Sequence, residues 1–363
     1  MTTDLILDCQ FGSTGKGLFA AYLAERHSPD VIAYAPSPNA GHTFFYREFE
    51  IIHKMLPSGV VSPSLKAIVL GPGSLIDLNR LYHELSRLED YGIQRPTVFV
   101  HENAAVVQDR HREAESQGGT APGSTRQGTG AAQADRILRR PGMNIIAAHM
   151  LDHPVFEPGK GVHLIGTLEM QRAYFSAERL QIESAQGYSL SVYHGDYPHV
   201  TCRDVTTASI LSDTGVPFMR RLNVYGTFRT FPIRVANRPA DGEFSGPTYA
   251  DSKEISFSDI GRSQEFTTVT RLPRRIFTWS QQQAIEACSQ NRIDAAFLNF
   301  AQYPPTFAEF NHIWESLSEC TNVQYVGFGP LASDVYRIGA PELDRSRVES
   351  IYERYSSAAG ADI

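Results

Sequence analysis

The chain has 363 residues, is 42% hydrophobic, and sets 33 basic against 40 acidic side chains for a net charge of −7. That is enough apolar chain for one large α/β domain or two smaller ones, and the acidic balance gives no support for a surface built to coat nucleic acid. The four cysteines (Cys9, Cys202, Cys288, Cys320) make no CxxC pattern, no leader precedes the first strand, and no apolar run approaches the roughly 20 residues that span a bilayer, so reduced thiols and a cytoplasmic location are expected.

The first element is a short buried strand, Leu5-Ile6-Leu7, followed by Asp8-Cys9-Gln10 and the glycine-rich turn Gly12-Ser13-Thr14-Gly15-Lys16-Gly17. Helical residues come next, Leu18 to Leu23. A strand, a glycine turn and a helix start place backbone N–H groups where an oxyanion can approach, and Lys16 adds a full charge. The spacing departs from a Walker A loop: Gln10 stands at its first glycine and Gly17 at its Ser/Thr. A phosphate site or a plain strand-to-helix turn would both account for it.

Val31 to Ala35 is a second strand, running into a loop, Pro36 to Thr43. Ile68-Val69-Leu70 is a third. Asp77 caps a helix with the apolar stripe Leu78, Leu81, Leu85, Leu88, ending before Gly92. Val98-Phe99-Val100 is another strand. Gly118 to Gly130 reads as a loop, mobile or phosphate-binding; the hydroxyls of Ser124, Thr125 and Thr129 suit the second role. Leu180 to Glu183 is a strand, and Asn223 to Ala236 is extended. Ser280 caps a helix through Asn291. Ala296-Phe297-Leu298 is a strand, Phe307 to Leu317 a helix with an aromatic core stripe, and Val323 to Val326 the last strand. A helix near Glu342 to Tyr355 ends the series. The fold class expected is α/β: a large, mostly parallel central sheet covered by helices, in a single domain over 1–363 with loop and helical elaborations.

The paired motifs GSTGKG (12–17) and NAGHT (39–43) resemble adenylosuccinate synthetase. Further segments fall in that family's order: HKMLPSG (53–59), Ser124–Gly130, Arg139-Arg140, Ala185-Gln186-Gly187, YPHVT (197–201) and Arg271–Arg275. The resemblance implies a P-loop-related fold and a ligase that moves the γ-phosphate of a nucleoside triphosphate onto O6 of a purine nucleotide, which aspartate then displaces, with Mg²⁺ between phosphates. It implies catalytic roles for Ser13 and His42, the latter as donor to the developing charge. Metal contacts would come from Ser13 and the Gly41 carbonyl. The donor nucleotide would touch Gly12, Thr14, Gly15, Lys16, Gly17, Thr43, Asn299, Gln302, Gly329 and Pro330. The acceptor would touch Ser13, Asn39, Ala40, Ser124, Thr125, Gln186 and Thr201, with Arg139 reaching its phosphate from the neighbouring subunit of a homodimer. Val269, Thr270 and Arg274 would hold aspartate.

Three departures from the family pattern carry information. Ser13 replaces the carboxylate of GDEGKG that serves the family as base, and a serine hydroxyl is no base near neutral pH without an activating partner. Gln302 replaces the guanine-reading aspartate; one donor and one acceptor suit adenine, which points to ATP or dATP. Leu272 aligns with an arginine that touches the ribose 2′-OH, so a deoxyribose becomes acceptable. These changes resemble the bacteriophage branch of the family, which joins aspartate to C6 of dGMP and gives N6-succino-2-amino-2′-deoxyadenylate for diaminopurine DNA; the location would then be the host cytoplasm. What removes the N1 proton stays open between a phosphate oxygen, water and the substrate aspartate. The competing readings are an ordinary synthetase using IMP and GTP, and an inactive nucleotide-binding regulator.

Overall fold

The computed structural model describes residues 2–117, 122–139, 142–218, 221–238, 244–267, 271–339 and 345–357. Its centre is a ten-stranded sheet. In chain order the strands are β1 (Thr2–Asp8), β2 (Val31–Tyr34), β3 (Ala67–Leu70), β4 (Thr97–His101), β5 (Val162–Ile165), β6 (Arg179–Gly187), β7 (Leu222–Arg229), β8 (Ala295–Asn299), β9 (Val323–Gly327) and β10 (Val335–Arg337). In space the order is β10-β9-β8-β7-β1-β6-β2-β3-β4-β5. All neighbours are parallel except β9 and β10. The helices are α1 (Lys16–His27), α2 (Leu78–Arg87), α3 (Asp109–Ser116), α4 (Thr129–Leu138), α5 (Thr167–Ser176), α6 (Thr207–Thr214), α7 (Gln281–Asn291), α8 (Phe307–Ser318) and α9 (Arg345–Ser357).

A strand covered on both faces reads as an unbroken apolar run, which is why Leu5-Ile6-Leu7 was visible in the sequence. Leu5 and Leu7 pack in one core with α7, α8 and α9 residues such as Ala287, Phe310 and Tyr352. Ile6 faces the other way, with Phe19 and Leu23 of α1. Phe19 stacks on Phe297 of β8 with ring centroids 4.6 Å apart. The Asp77 and Ser280 caps form as expected: Asp77 accepts from Arg80 N–H at 3.0 Å and Ser280 Oγ from Gln283 N–H at 3.0 Å.

Four expectations are corrected. The loop expected over 36–43 ends early, because His42 and Thr43 begin a hairpin, His42–Tyr46 paired with Phe49–His53. The loop expected over 118–130 already turns into α4 at Thr129, after Gly128 adopts the left-handed conformation; residues 118–121 lie outside the described set. The extended run over 223–236 splits into β7 and the short strand Ile233–Arg234. The last helix, expected near 342–355, extends to Ser357; residues 340–344 lie outside the described set. No described helix is long and apolar enough to cross a membrane.

Candidate functional site

β1 is the point where the chain's winding reverses: β6 and β7, both much later in sequence, flank it. Open parallel sheets hold ligands in the crevice outside the carboxyl ends of strands at such a switch point. The main cleft, about 820 Å³, lies there. Its floor comes from the ends of β1 (Asp8), β6 (Gln186), β8 (Asn299) and the segment after β9 (Gly329, Pro330).

The glycine turn is built around Asp8. Its carboxylate accepts from the N–H groups of Gln10 at 2.9 Å, Gly12 at 3.2 Å and Thr14 at 3.3 Å, and from the Thr14 hydroxyl at 2.6 Å. Thr14 Oγ1 in turn lies 2.6 Å from Thr227 Oγ1 on β7. Gln10, the residue that spoils a Walker A reading, ties the turn to β7: its side-chain amide accepts from Arg229 N–H at 2.9 Å and donates to Arg229 C=O at 3.2 Å. Gly15 (φ +84°) leaves room for Asn299, whose Nδ2 would lie 1.9 Å from a Cβ there and donates to the Thr14 carbonyl at 3.3 Å. The helix that follows, α1, has no side-chain cap and no acidic residue in its first turn. That leaves an end fit for an anion.

Lys16 and His42 meet across this end. Lys16 Nζ lies 2.9 Å from His42 Nδ1. An ammonium can only donate, so Nδ1 accepts and the ring proton of the neutral imidazole sits on Nε2. Burial, then the Lys16 charge and His53, push His42 well below the ordinary histidine value. Burial lowers Lys16 to about 8, against the opposing pull of Glu183 and Asp8. Glu183, buried, accepts from Ser58 and Gly59 N–H at 2.9 and 2.7 Å. It helps keep the lysine charged.

Buried polar atoms are almost always paired, so an unpaired one asks for an explanation. His42 Nε2, Gln186 Nε2, Gln302 Oε1 and Thr129 Oγ1 are buried without a partner among the described residues, and all four residues line this cleft. Each is left short of a hydrogen bond, at a cost of about 1–3 kcal/mol, until a ligand completes it.

Gly12, Ser13, Gly17, Asn39, Ala40, Gly41, Thr43, Ser124, Thr125, Thr201 and Arg274 also line the cleft, together with Lys16, Gly15, Asn299, Gly329 and Pro330. Thr14 does not: its N–H, carbonyl and hydroxyl are all spent inside the protein, so it braces the turn instead of facing a donor nucleotide. Arg139 is exposed at the end of α4 and lies outside the cleft of its own chain. Val269 and Thr270 lie outside the described residues. Leu272 is hydrogen-bonded to Thr267 and is not part of the cleft wall. Sequence reasoning gave no role to Asp8, Glu183, Arg229 or Glu265. Asp8 carried a signal, an acid ending an apolar strand; the others acquire meaning only from partners far along the chain.

The adenylosuccinate synthetase family model matches residues 5–158 and 163–306. The chain belongs to the adenylosuccinate synthetase family. Within the family it is 49% identical, over 97% of its length and 96% of the relative's, to the N6-succino-2-amino-2′-deoxyadenylate synthase of Cyanophage S-2L. It is 41% identical to the synthase of that name from Acinetobacter phage SH-Ab 15497, covering 91% of this chain and 92% of that one. An adenylosuccinate synthetase of Pyrococcus sp. (strain ST700) is 31% identical over 76% of this chain and 77% of its own. The solved Cyanophage S-2L succinoaminodeoxyadenylate synthetase, bound to dGMP and to dATP as an energy donor, superposes with a TM-score of 0.92 over 98% of this chain and 99% of that one. The Plasmodium falciparum adenylosuccinate synthetase shares the fold at a TM-score of 0.72 and 18% identity, over 93% and 100% of the two chains.

Proposed function

We propose that the protein is a carbon–nitrogen ligase that joins L-aspartate to C6 of dGMP, driven by ATP or dATP, giving N6-succino-2-amino-2′-deoxyadenylate. The carrying observation is the near end-to-end likeness to the cyanophage synthase whose structure holds dGMP and dATP. The geometry agrees with it. Lys16 and the amides of the α1 terminus suit the donor phosphates. Gln302 presents its unpaired Oε1 to the 6-amino group of adenine and its Nε2 to N1. Gln186, Asn39 and Ala40 suit the acceptor base and sugar, and Ser124, Thr125 and Thr201 its phosphate.

In the first step the γ-phosphoryl group passes to O6, the bond to the bridging oxygen breaks, and N1 gives its proton to a phosphate oxygen, a water or the substrate aspartate. In the second the aspartate amine attacks C6 and inorganic phosphate leaves. His42 serves both steps. Its Nε2–H is fixed by the Lys16 contact and is available to an oxygen that gains charge. Arg274 suits the aspartate carboxylate. Asp8 is committed to the turn by four hydrogen bonds, so it holds Ser13 in place.

No group of three or more His, Cys, Asp or Glu side chains among the described residues could hold a metal. Mg²⁺ suits the site nonetheless, because it keeps waters, takes phosphate oxygens and needs only one or two protein oxygens. The Gly41 carbonyl and the Ser13 hydroxyl are the protein oxygens for it, and when bound it would neutralise charge between the donor phosphates. We also propose a homodimer in which Arg139 reaches the acceptor phosphate of the other subunit. Its neighbours Ile137 and Leu138 are exposed, which leaves apolar surface on α4 that a second subunit could cover.

The test pairs each acceptor (dGMP, GMP, IMP) with each donor (ATP, dATP, GTP) in the presence of Mg²⁺ and aspartate, with the succino adduct read by mass. Adduct from dGMP with ATP or dATP is expected. Adduct from IMP with GTP alone would assign the ordinary synthetase reaction, and nucleotide binding without any adduct would assign a regulator.

A further inference from the structure

Three segments far apart in the chain meet at one carboxylate that none of the roles above uses. Glu265 Oε1 accepts from Arg229 Nη2 at 2.7 Å and from the Tyr303 hydroxyl at 2.9 Å. Its Oε2 accepts from Arg229 Nη1 at 3.3 Å and Arg274 Nη1 at 3.5 Å. Arg274 is pinned further: its backbone N–H donates to the Glu265 carbonyl at 2.8 Å and its Nε to the Phe266 carbonyl at 3.1 Å. Arg229 is wholly buried, donates to the Ser13 carbonyl at 3.3 Å, and lies 3.9 Å over the Phe300 ring. One carboxylate is therefore bonded at once to the cation beneath the glycine turn, to the arginine in the cleft wall, and to the tyrosine beside Gln302.

The charges decide what this junction lacks. Two guanidinium groups face one carboxylate, which leaves one positive charge over among the three. Buried charges are costly unless paired, and a carboxylate-bearing substrate entering beside Arg274 supplies the second anion. Burial alone would raise the Glu265 carboxyl. The charge and hydrogen bonds of Arg229, then Arg274, hold it below the ordinary glutamate value, so it is ionised at neutral pH.

We propose that Glu265 is a positioning residue of the ligation, aiming Arg274 at the carboxylate of the incoming amino acid and tying that aim to the 299–303 loop that reads the donor base. The proposal rests on the ligase reading above. A neutral glutamine can still accept hydrogen bonds but cannot offset the charge of two guanidinium groups, so the Arg229–Arg274 repulsion goes unopposed and the Arg274 guanidinium end, held only at Nε and the backbone, loses its aim.

The experiment is steady-state adduct formation by the full-length protein, with KM measured for aspartate, dGMP and ATP. Wild-type activity comes first, since no adduct from any pairing would bring down the ligase reading and this proposal with it. With wild-type active, Glu265→Gln is expected to raise the aspartate KM at least about tenfold and to move the dGMP KM less than about threefold. Tyr303→Phe keeps the ring and every charge and is expected to raise the KM values for aspartate and ATP about threefold, with an unchanged melting temperature. An aspartate KM that stays put or falls in Glu265→Gln would overturn the proposal, as would a parallel rise in all three KM values. Should Glu265→Gln not fold, Tyr303→Phe decides alone, and an unmoved aspartate KM would sink the idea.

Discussion

If Gln302 reads the donor base as proposed, it is the residue at which the choice of energy donor can be inverted. Its amide offers one donor and one acceptor, which suit adenine; aspartate there would offer two acceptors, which match guanine N1–H and its 2-amino group. Gln302→Asp is expected to lower kcat/KM for ATP and dATP by at least about a hundredfold while raising that for GTP, because a mispaired buried polar group discriminates strongly. Competition between the donors in one reaction checks this. Lys16 predicts a pH dependence. Burial lowers its pKa to about 8, and only the protonated form attracts phosphates. Donor kcat/KM is therefore expected to be flat below that value and to fall about tenfold per unit above it. Bound phosphates stabilise the ammonium, so kcat at saturating donor should hold to higher pH. His42, already neutral throughout, adds no inflection near 6.5.

At the scale of elements, the glycine turn and α1 form one unit clamped from both ends, by Asp8 below and Asn299 beside Gly15. Gly15→Ala meets two penalties: a left-handed φ of +84° and a Cβ 1.9 Å from Asn299 Nδ2. The turn must shift, so donor binding is expected to weaken at least about tenfold in a titration, with a stability loss of about 1–3 kcal/mol by denaturant unfolding. Much of this layer was legible in the sequence. The buried strands announced themselves by apolar runs, and the helix caps at Asp77 and Ser280 by local chemistry. Other elements left weak traces. α3 buries His111 alone and shows no helical stripe, whereas α5 sets Met170, Ala173 and Tyr174 against the core at helical spacing, a short stripe among polar neighbours. The 42–53 hairpin begins inside a motif whose glycine and asparagine read as loop. The cleft-lining residues Ser13, Lys16 and His42 were legible through GSTGKG and NAGHT, whereas Arg229 and Glu265 depend on contacts 36 residues apart and carry no local signature.

For the whole molecule, the assembly is the feature to test. If each site borrows Arg139 from the other subunit, two differently broken dimers should repair one another. Arg139→Leu and Lys16→Ala homodimers are each expected to be nearly inactive. After mixing and subunit exchange, half the molecules are heterodimers, and each of these holds one site with both residues intact. Activity should recover to about a quarter of wild type. No recovery despite exchange, followed by native mass spectrometry, would mean that Arg139 does not act across the interface, and full activity of Arg139→Leu alone would place it outside the reaction.

The position of β1 has a consequence in time. The first strand to be synthesised pairs with β6 and β7, through registers such as Leu5 with Ile182 and Leu5 with Val224. Until those residues exist, the apolar run Leu5-Ile6-Leu7 has no sheet to enter. The phosphate turn then hangs from an unpaired strand, and its Asp8–Thr14–Thr227 chain of hydroxyls and carboxylate has no far end. Contacts of such sequence separation form slowly and late. The glycine turn, although its motif is written in the first seventeen residues, is braced only when Asn299, itself packed against Gly327, arrives from the other end of the chain. A polypeptide interrupted before β8 would carry every residue of GSTGKG and NAGHT and still lack the cleft wall that Asn299, Gly329 and Pro330 supply.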